Sequence, residues 1–417
     1  MPTAAALEGV LRRHVLDAWF PRSLDTAHGG FLCDFDRRWT PLGPHDKLLE
    51  FHGRHLCVAA DACREYPDEP RFRQAMEHGF KYLHEVMWDR QLGGWFHRMD
   101  RSGKPVEQGT KHSHGIAYGL DACAAVYEAS QDPAALELAK AGFQWLEEHA
   151  WDREHGGHFG FLTRDGKPIL QSGQCPWPTE LDTIGTPLGL KDLNVHCDLL
   201  ETFVRLYRIW PDPAVATRLA ESVEIIGKRM LVPETGALHY YVTPDWQPIP
   251  HLVRAGYQFQ AAYRLTMAPD LTGAADELRR TAMTIVDHIL RHSRDDNGGF
   301  HYAAPGALPL ELQGQMLSVR QKPWWVQVEG LKTFLVLSRL APENPRYLQE
   351  FDALWDVIEN QFLDARYGGI FGFPLRRRHR LLGISPAEVT AKGHAWKDAR
   401  HEARALLTCI EMLRETH

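Results

Sequence analysis

The chain lacks the features that identify several common classes of protein. No apolar run approaches the roughly 20 residues that a membrane-spanning helix needs, and a formal charge of −7 gives no basic surface for nucleic acid. No GxGxxG or GxxxxGK[ST] loop is present, so no nucleotide cofactor is predicted. The seven cysteines are scattered, odd in number and without CxxC pairs. We therefore expect reduced thiols and a cytoplasmic location.

The chain also lacks any sign of a domain boundary. No Pro/Gly/Ser-rich linker, charge block or low-complexity segment divides its 417 residues. Instead, a polar or acidic residue followed by Gly-Gly and an apolar residue recurs as "DTAHGGF", "DRQLGGW", "DREHGGH", "VPETGAL", "RDDNGGF" and "DARYGGI". Counted from the second glycine, or from Ala237 in the degenerate fourth copy, the steps are 64, 63, 80, 62 and 70 residues. This spacing predicts one repeat-built domain over residues 1–417.

Each repeat contains two different helical patterns. One is amphipathic, as in "RFRQAMEHGFKYLHEVMWD", and the other is apolar on nearly every side, as in "LKTFLVLSRL". An all-apolar helix belongs inside, so the pattern predicts an all-α (α/α)6 barrel of six inner and six outer helices. The inner helices are expected near 45–64, 111–129, 192–209, 253–267, 323–340 and 393–414. The Gly-Gly segments predict short β-hairpins at the mouth, where the inner helices begin.

Polar and aromatic side chains recur at the beginnings of these inner helices. The set is Arg54, His114, Asn194, His196, Glu201, Tyr257, Gln260, Trp324, Trp325, Glu329, Trp396, His401 and Arg404. Because unrelated structural residues would not recur at similar helical positions, we predict that this set lines one pocket. Aromatic faces with polar donors and acceptors suit a sugar, and imidazoles suit proton transfer near neutral pH. No HxxxH or HExxH pair occurs at these positions, so no metal is predicted.

Most of the 23 histidines are expected to be structural or solvated rather than functional. Those assigned in this way are His45, His55, His78, His84, His149, His158 and His292. The expected partner is a small-molecule sugar, with neither nucleic acid nor membrane, and a homodimer is compatible with the sequence.

Taken together, the motifs resemble the N-acylglucosamine 2-epimerase family, which includes cellobiose 2-epimerases and mannose isomerases, over essentially the whole chain. The resemblance rests on "EFHGRHL", "NVHCDLLE", "WWVQVE" and "WKDARHEAR". It implies proton abstraction from C2 of an open-chain aldose through an enediolate, without a cofactor. Return of the proton to the other face of C2 gives a 2-epimer, and return to C1 gives a ketose.

The chain departs from the family pattern on the fourth inner helix. The family has Gly-His-x-x-Glu there, whereas "GYQFQAAYRL" has Tyr257 and Gln260 at those positions. The resemblance implies that the missing histidine would pair with His401 as acid and base. With His401 kept, the balance shifts towards isomerisation or a modified epimerisation. Either Tyr257 or His196 would then be the second catalytic group.

Two other functions remain open from the sequence. An inverting glycosidase on the same barrel would use two carboxylates, for instance Glu180 or Asp182 with Glu329. A non-catalytic sugar-binding protein is supported only by the changes at Tyr257 and Gln260.

Overall fold

The computed structural model describes residues 1–268, 273–304, 319–375 and 384–415. Its helices are α1 (Ala4–Val10), α2 (Leu49–Glu65), α3 (Pro70–Tyr82), α4 (Ser113–Ser130), α5 (Pro133–His149), α6 (Leu193–Ile209), α7 (Pro213–Glu224), α8 (Ala255–Leu265), α9 (Ala275–His292), α10 (Trp324–Leu340), α11 (Arg346–Gln361), α12 (Pro386–Thr390) and α13 (Arg400–Arg414). Three of these continue as π-helical segments, over Leu11–Leu16 after α1, Leu83–Met87 after α3 and Ile225–Arg229 after α7. A short helical turn, Asp17–Trp19, follows the first of these segments.

The inner helices form a closed ring. In order they are α2, α4, α6, α8, α10 and α13, each contacting the next, and α13 returns to α2. Outer helices α3, α5, α7, α9 and α11 each pack on the inner helix that precedes them, and α1 packs on α13. The predicted (α/α)6 barrel is therefore confirmed. Buried apolar side chains from Leu7 to Leu413 fill the space between the two layers.

Proline marks the start of three outer helices. Pro70, Pro133 and Pro213 are the first residues of α3, α5 and α7. For α5, the side chain of Asp132 accepts a hydrogen bond from the backbone N–H of Ala134. The missing N–H of proline costs nothing at this position, because the first helical N–H groups have no partner within the helix.

Two inner helices begin later than predicted. α2 begins at Leu49 rather than at 45, because Lys47–Leu48 is a strand paired with Arg98–Met99. α13 begins at Arg400 rather than at 393, where the Asp398 carboxylate accepts a hydrogen bond of 2.7 Å from the Arg400 N–H. Trp396 therefore lies in the loop before α13 and not on the helix.

The short strands join neighbouring repeats at the mouth. They are β1 (Lys47–Leu48), β2 (Arg98–Met99), β3 (Lys111–His112), β4 (Phe161–Leu162), β5 (Lys191–Asp192), β6 (Leu231–Val232), β7 (Ala237–Leu238), β8 (Tyr241–Val242) and β9 (Pro248–Ile249). All pairings are antiparallel, in the orders β1-β2, β3-β4, β5-β8-β9 and β6-β7. β1, β3 and β5 each lead directly into an inner helix. Each of them pairs with a strand in the loop that follows the outer helix packed on that inner helix.

The same buried ion pair fastens five of the six Gly-Gly turns to the chain before an inner helix. The pairs are Lys47–Asp25, Lys111–Asp89, Lys191–Asp152, Lys322–Asp295 and Lys392–Asp364. Each aspartate also accepts backbone N–H groups of its own turn. In the fourth repeat, valines occupy the two corresponding positions, Val232 and Val253. Five repeats therefore share one electrostatic joint, and the fourth is built without it.

No helix in the described ranges combines the length and apolar character needed to cross a membrane. All seven cysteines are free thiols. The single-domain organisation and the cytoplasmic location stay predictions.

Candidate active site

A cavity of about 300 Å³ lies at the mouth of the barrel. The predicted residues that line it are Arg54, His114, Asn194, Tyr257, Gln260, Trp325, Trp396 and His401. Further lining residues, which the sequence did not single out, are Ile184, Gly185, Thr186, Tyr240, Tyr241, Arg254 and Tyr302. The volume is at the small end of the range for ligand pockets and suits one monosaccharide.

Helical phase decides which inner-helix residues reach the cavity. The second residue of an inner helix lines it in α4, α6, α10 and α13, as His114, Asn194, Trp325 and His401 do. The sixth residue, one turn further on, lines it in α2 and α8, as Arg54 and Gln260 do. Residues four apart share a helix face, whereas residues two apart point in nearly opposite directions. These two positions of each inner helix therefore face the barrel axis.

His401 is held in one tautomer by Glu329. Its Nδ1 lies 2.7 Å from Glu329 Oε1, and the same carboxylate binds Arg404 and Lys332. Burial alone would raise the pKa of Glu329, but Arg404 and Lys332 hold that pKa well below its usual value. The carboxylate is therefore an acceptor, and Nδ1 of His401 donates. Burial lowers the pKa of His401 despite this bond, so the ring is neutral and Nε2 carries the lone pair.

His114 has the opposite charge state. Its Nδ1 lies 3.0 Å from Glu50 Oε1, and its Nε2 lies 2.8 Å from Asp198 Oδ2. Burial would lower the pKa of His114, but the two carboxylates raise it to about 9. With a carboxylate beside each ring nitrogen, His114 is an imidazolium at neutral pH. It supplies a fixed positive charge to the cavity rather than a free proton.

Arg54 is a second cation on the cavity wall. Its guanidinium donates to Tyr118 Oη at 2.9 Å, lies over that ring at 4.2 Å and is 3.8 Å from a carboxylate oxygen of Asp398. It is almost completely buried. An arginine in this position can stabilise negative charge that develops on a substrate oxygen.

Tyr257 and Trp325 form an aromatic wall beside His401. The Trp325 ring centroid lies 5.7 Å from that of His401 and 5.2 Å from that of Tyr257. Burial raises the pKa of Tyr257, so its phenol keeps its proton at neutral pH and can donate a hydrogen bond. Gln260, one turn along, accepts a hydrogen bond of 3.2 Å from Arg264.

Several predicted site residues lie beneath the cavity instead of lining it. Glu201 binds Arg264, Arg400 and Arg404, and Arg404 also binds Glu329. These residues form a buried ionic layer on which His401 rests. Trp324 faces an outer groove, next to Lys397.

His196 does not line the cavity either. It is the fourth residue of α6, two residues after Asn194, and therefore points away from the axis. Its Nδ1 lies 2.7 Å from the carbonyl oxygen of Asp192, and its Nε2 accepts a 3.2 Å hydrogen bond from the backbone N–H of His158. Burial lowers its pKa to about 3. Both ring nitrogens are therefore used by the backbone.

The bond made by His196 recurs in other repeats. Gln258 and Gln327, the fourth residues of α8 and α10, accept hydrogen bonds from the backbone N–H groups of Leu238 and Phe300 at 3.1 and 2.8 Å. Each acceptor binds the backbone N–H of the residue that directly follows the second position of the Gly-Gly motif. At Gly157, an added Cβ would lie 2.7 Å from His196 Nε2, and φ is +71°. Position 157 therefore needs glycine where the turn meets the inner helix, whereas the fourth copy has Ala237 at the corresponding position.

None of the three carboxylates considered for a glycosidase lines the cavity. Asp182 lies 2.9 Å from His112 Nε2, Glu180 is exposed, and Glu329 binds His401. Among the described residues that line the cavity, none is Asp or Glu.

One group of possible metal ligands lies outside the cavity. Cys33, Asp34 and His45 present ligand atoms within 4.8 Å of one another. Nδ1 of His45 already accepts a hydrogen bond of 3.3 Å from the backbone N–H of Asp34.

Comparison with known proteins gives consistent matches along nearly the whole chain. A family model described as N-acylglucosamine 2-epimerase (GlcNAc 2-epimerase) matches residues 29–171 and 180–387. Cellobiose 2-epimerase of Bacteroides fragilis is 23% identical over 407 residues, which cover 97% of each chain. The structure of cellobiose 2-epimerase from Bacillus thermoamylovorans matches with a TM-score of 0.83 and 21% identity over 98% of each chain. A D-mannose isomerase structure matches with a TM-score of 0.79 and 19% identity, covering 100% of this chain and 99% of that one.

Proposed function

Because the chain belongs to the N-acylglucosamine 2-epimerase family and is thus a carbohydrate epimerase or isomerase, we propose that it interconverts an aldose and its ketose, with His401 as the base. The observation that carries this proposal is the bond from His401 Nδ1 to Glu329, which leaves Nε2 as the basic ring atom on the cavity wall. A base whose tautomer is fixed by a buried carboxylate needs no rearrangement before it accepts a proton.

The reaction begins with transfer of the C2 proton of the open-chain aldose to His401 Nε2. The electrons of the C2–H bond form a C1–C2 double bond, and the carbonyl oxygen O1 becomes the enediolate oxygen. Arg54, together with the fixed charge of His114, stabilises that oxygen. The hydroxyl proton moves from O2 to O1, and His401 returns its proton to C1. The product is the ketose, and His401 is again neutral.

We propose isomerisation rather than 2-epimerisation because 2-epimerisation requires a second proton donor on the opposite face of C2. His114 lines the cavity, but the carboxylates beside its two ring nitrogens raise its pKa to about 9, which makes it a poor proton donor at neutral pH. Tyr257 keeps its proton and is a much weaker acid than an imidazolium. One base acting on one face is enough for isomerisation. A 2-epimerase would need Tyr257, or a water molecule, to protonate the other face of C2.

Two alternatives have less support. An inverting glycosidase needs two carboxyl groups about 6.5–9.5 Å apart across the substrate, and the described lining residues include no carboxylate. A sugar-binding protein without activity would not require the His401–Glu329 arrangement.

The test is a panel of aldoses incubated with the protein in heavy water and followed by NMR. Ketose carrying deuterium at C1 supports isomerisation, whereas a 2-epimer with deuterium at C2 assigns epimerisation instead. His401→Ala should lower the exchange rate by about 10²–10⁴-fold, the usual contribution of a general base. Tryptophan fluorescence should show sugar binding largely unchanged, because Trp325 and Trp396 report on the cavity.

His28→Ala is the control, since His28 is exposed on a Gly-Gly turn. It should leave the exchange rate unchanged. If His401→Ala kept near-normal exchange, or if the wild type exchanged no sugar at all, the proposed mechanism would be wrong. Tyr257→Phe then separates the two outcomes of the reaction: a large loss confined to 2-epimer formation assigns the phenol as the second proton donor.

A further inference from the structure

Arg254 is a cation on the cavity wall for which the described residues supply no carboxylate within ion-pair distance. It directly precedes α8. Its guanidinium carbon lies 3.9 Å from the ring centroid of Tyr240 and 5.7 Å from that of Tyr302. One terminal nitrogen donates to Nε2 of His251 at 3.0 Å, and the buried Nε has no hydrogen-bond partner among the described residues. Aromatic faces and one imidazole therefore surround a full positive charge.

The other cations of the mouth are balanced. Arg54 faces Asp398, and His114 lies between Glu50 and Asp198. Each buried lysine before the other inner helices has its own aspartate, described above. A partly buried guanidinium without a counter-ion is costly unless a ligand pairs with it. Its planar set of N–H donors matches the geometry of a carboxylate or phosphate group.

A series of ring contacts connects Arg254 with His401. The Trp325 ring lies 5.7 Å from the His401 ring and 6.3 Å from the Tyr302 ring. Tyr302 in turn flanks Arg254. Both Arg254 and His401 line the cavity of about 300 Å³, so a hexose whose C1–C2 end meets His401 can place its far end beside Arg254.

We propose that the substrate is a monosaccharide with an oxyanion group, such as a carboxylate, phosphate or sulfonate, at the end remote from the carbonyl, and that Arg254 binds this group. The orientation rests on the proposed function, which assigns the reacting end to His401. The anion preference itself rests on Arg254 and on the absence of carboxylates among the described lining residues.

The experiment compares one neutral hexose with three matched anionic forms: the hexuronate, the hexose 6-phosphate and the 6-sulfonated hexose. Binding is measured by tryptophan fluorescence, and turnover is measured by deuterium incorporation in heavy water. A charge-assisted hydrogen bond typically contributes on the order of 10–100-fold in affinity. We therefore expect at least one anionic sugar to bind about tenfold or more tightly than the neutral one.

Arg254→Met should remove this preference by weakening the anionic sugars much more than the neutral hexose, and Arg254→Lys should keep part of it. Arg280→Met is the matched control, because Arg280 is exposed on outer helix α9. The three anionic sugars show which oxyanion is preferred. Equal affinity for neutral and anionic sugars in the wild type would overturn the inference without any variant having to fold. A loss that is equal for all sugars in Arg254→Met would also overturn it.

The outcomes separate this inference from the proposed function. Arg254-dependent binding of an anionic sugar without deuterium exchange would sustain the inference and reject the proposed reaction. Exchange with neutral sugars, together with no anionic preference, would sustain the reaction and reject the inference.

Discussion

The fourth repeat differs from the other five in the way its mouth loop is fastened. In the third repeat, Lys191 is completely buried and binds Asp152 at 2.7 Å, the carbonyl oxygen of Gly156 at 2.6 Å and that of Pro244 at 2.9 Å. In the fourth repeat, Val253 stands two residues before the inner helix, as Lys191 does in the third. The turn before it lacks the aspartate as well.

The fourth repeat replaces the ion pair by a different set of residues. The segment before α8 contributes Tyr240, Tyr241 and Arg254 to the cavity, and α8 itself adds Tyr257. β8 and β9 of this segment form a three-stranded sheet with β5 and hold it in place through backbone pairing. Arg254 in this segment has no aspartate of its own among the described residues and faces the cavity. The lysine–aspartate pairs of the regular repeats thus stabilise the mouth, whereas the segment without such a pair adds side chains to a cavity that the other inner helices also line.

The strongest test of this difference is Lys191→Met. It leaves the Asp152 carboxylate buried without its counter-ion, and removing one partner of such a pair typically costs about 3–5 kcal/mol. The free energy of unfolding from urea titrations at pH 7 should fall by that amount. Val253→Met, at the corresponding position of the fourth repeat, should cost less than about 1 kcal/mol. Similar losses for the two variants would show that the lysine joint is not what distinguishes the repeats.

A second comparison concerns the fourth residue of the inner helices, which is His196 in α6 but glutamine in α8 and α10. His196 has a pKa of about 3 in the folded chain and about 6.5 when unfolded. Between these values the unfolded chain binds a proton that the folded chain does not. The stability is therefore complete above pH 6.5 and is lost as the pH falls, by about 1.4 kcal/mol per pH unit for this residue.

His196→Gln should remove that part of the pH dependence. The free energy of unfolding, measured between pH 7 and pH 4, should fall less steeply in the variant by about 1.4 kcal/mol per unit. His28→Gln, on an exposed turn, should leave the slope unchanged. An unaltered slope in His196→Gln would mean that the imidazole is not kept neutral by burial.

The fold could be predicted from the sequence because it is repeated six times. Six glycine motifs and two alternating helical patterns each report the same architecture, so one degenerate copy did not obscure it. The boundary errors at α2 and α13 have a local cause. Lys47–Leu48 forms a strand of two residues, and Asp398 accepts a hydrogen bond from the N–H of Arg400, which helical periodicity does not reveal.

The candidate site could be predicted only in part, for a reason of phase. Recurrence at helix starts predicts function, but in α6, α8 and α10 a second, structural face recurs as well. The second and sixth residues face the axis, which brings His114, Trp325 and His401 together. The fourth residue faces the Gly-Gly turn, which accounts for His196. Counting from the helix start separates these faces, and it would also have found Glu50 and Asp198, the two partners of His114.

The residues outside the inner helices left no comparable signal. Arg254 lies in the segment just before α8, and Tyr240 and Tyr302 come from loops. The missing lysine–aspartate pair does leave a signal in the sequence. The fourth motif, "VPETGAL", lacks the aspartate that the other five motifs contain, and Val253 stands where the lysine would be.

The smallest expected effect is that of His196→Gln on activity. Glutamine at the equivalent positions, Gln258 and Gln327, already accepts the same backbone hydrogen bond, so the variant should keep the turn at His158 in place. The rate of deuterium exchange at neutral pH should stay within about twofold of the wild type, in contrast to the large loss expected for His401→Ala. His196→Leu provides the matched comparison: it removes the acceptor, leaves the buried N–H of His158 unpaired and should cost about 1–3 kcal/mol of stability. If His196→Gln folded normally but lost exchange as His401→Ala does, His196 would act on the substrate in spite of its position. The division between a structural and a catalytic face of α6 would then be wrong.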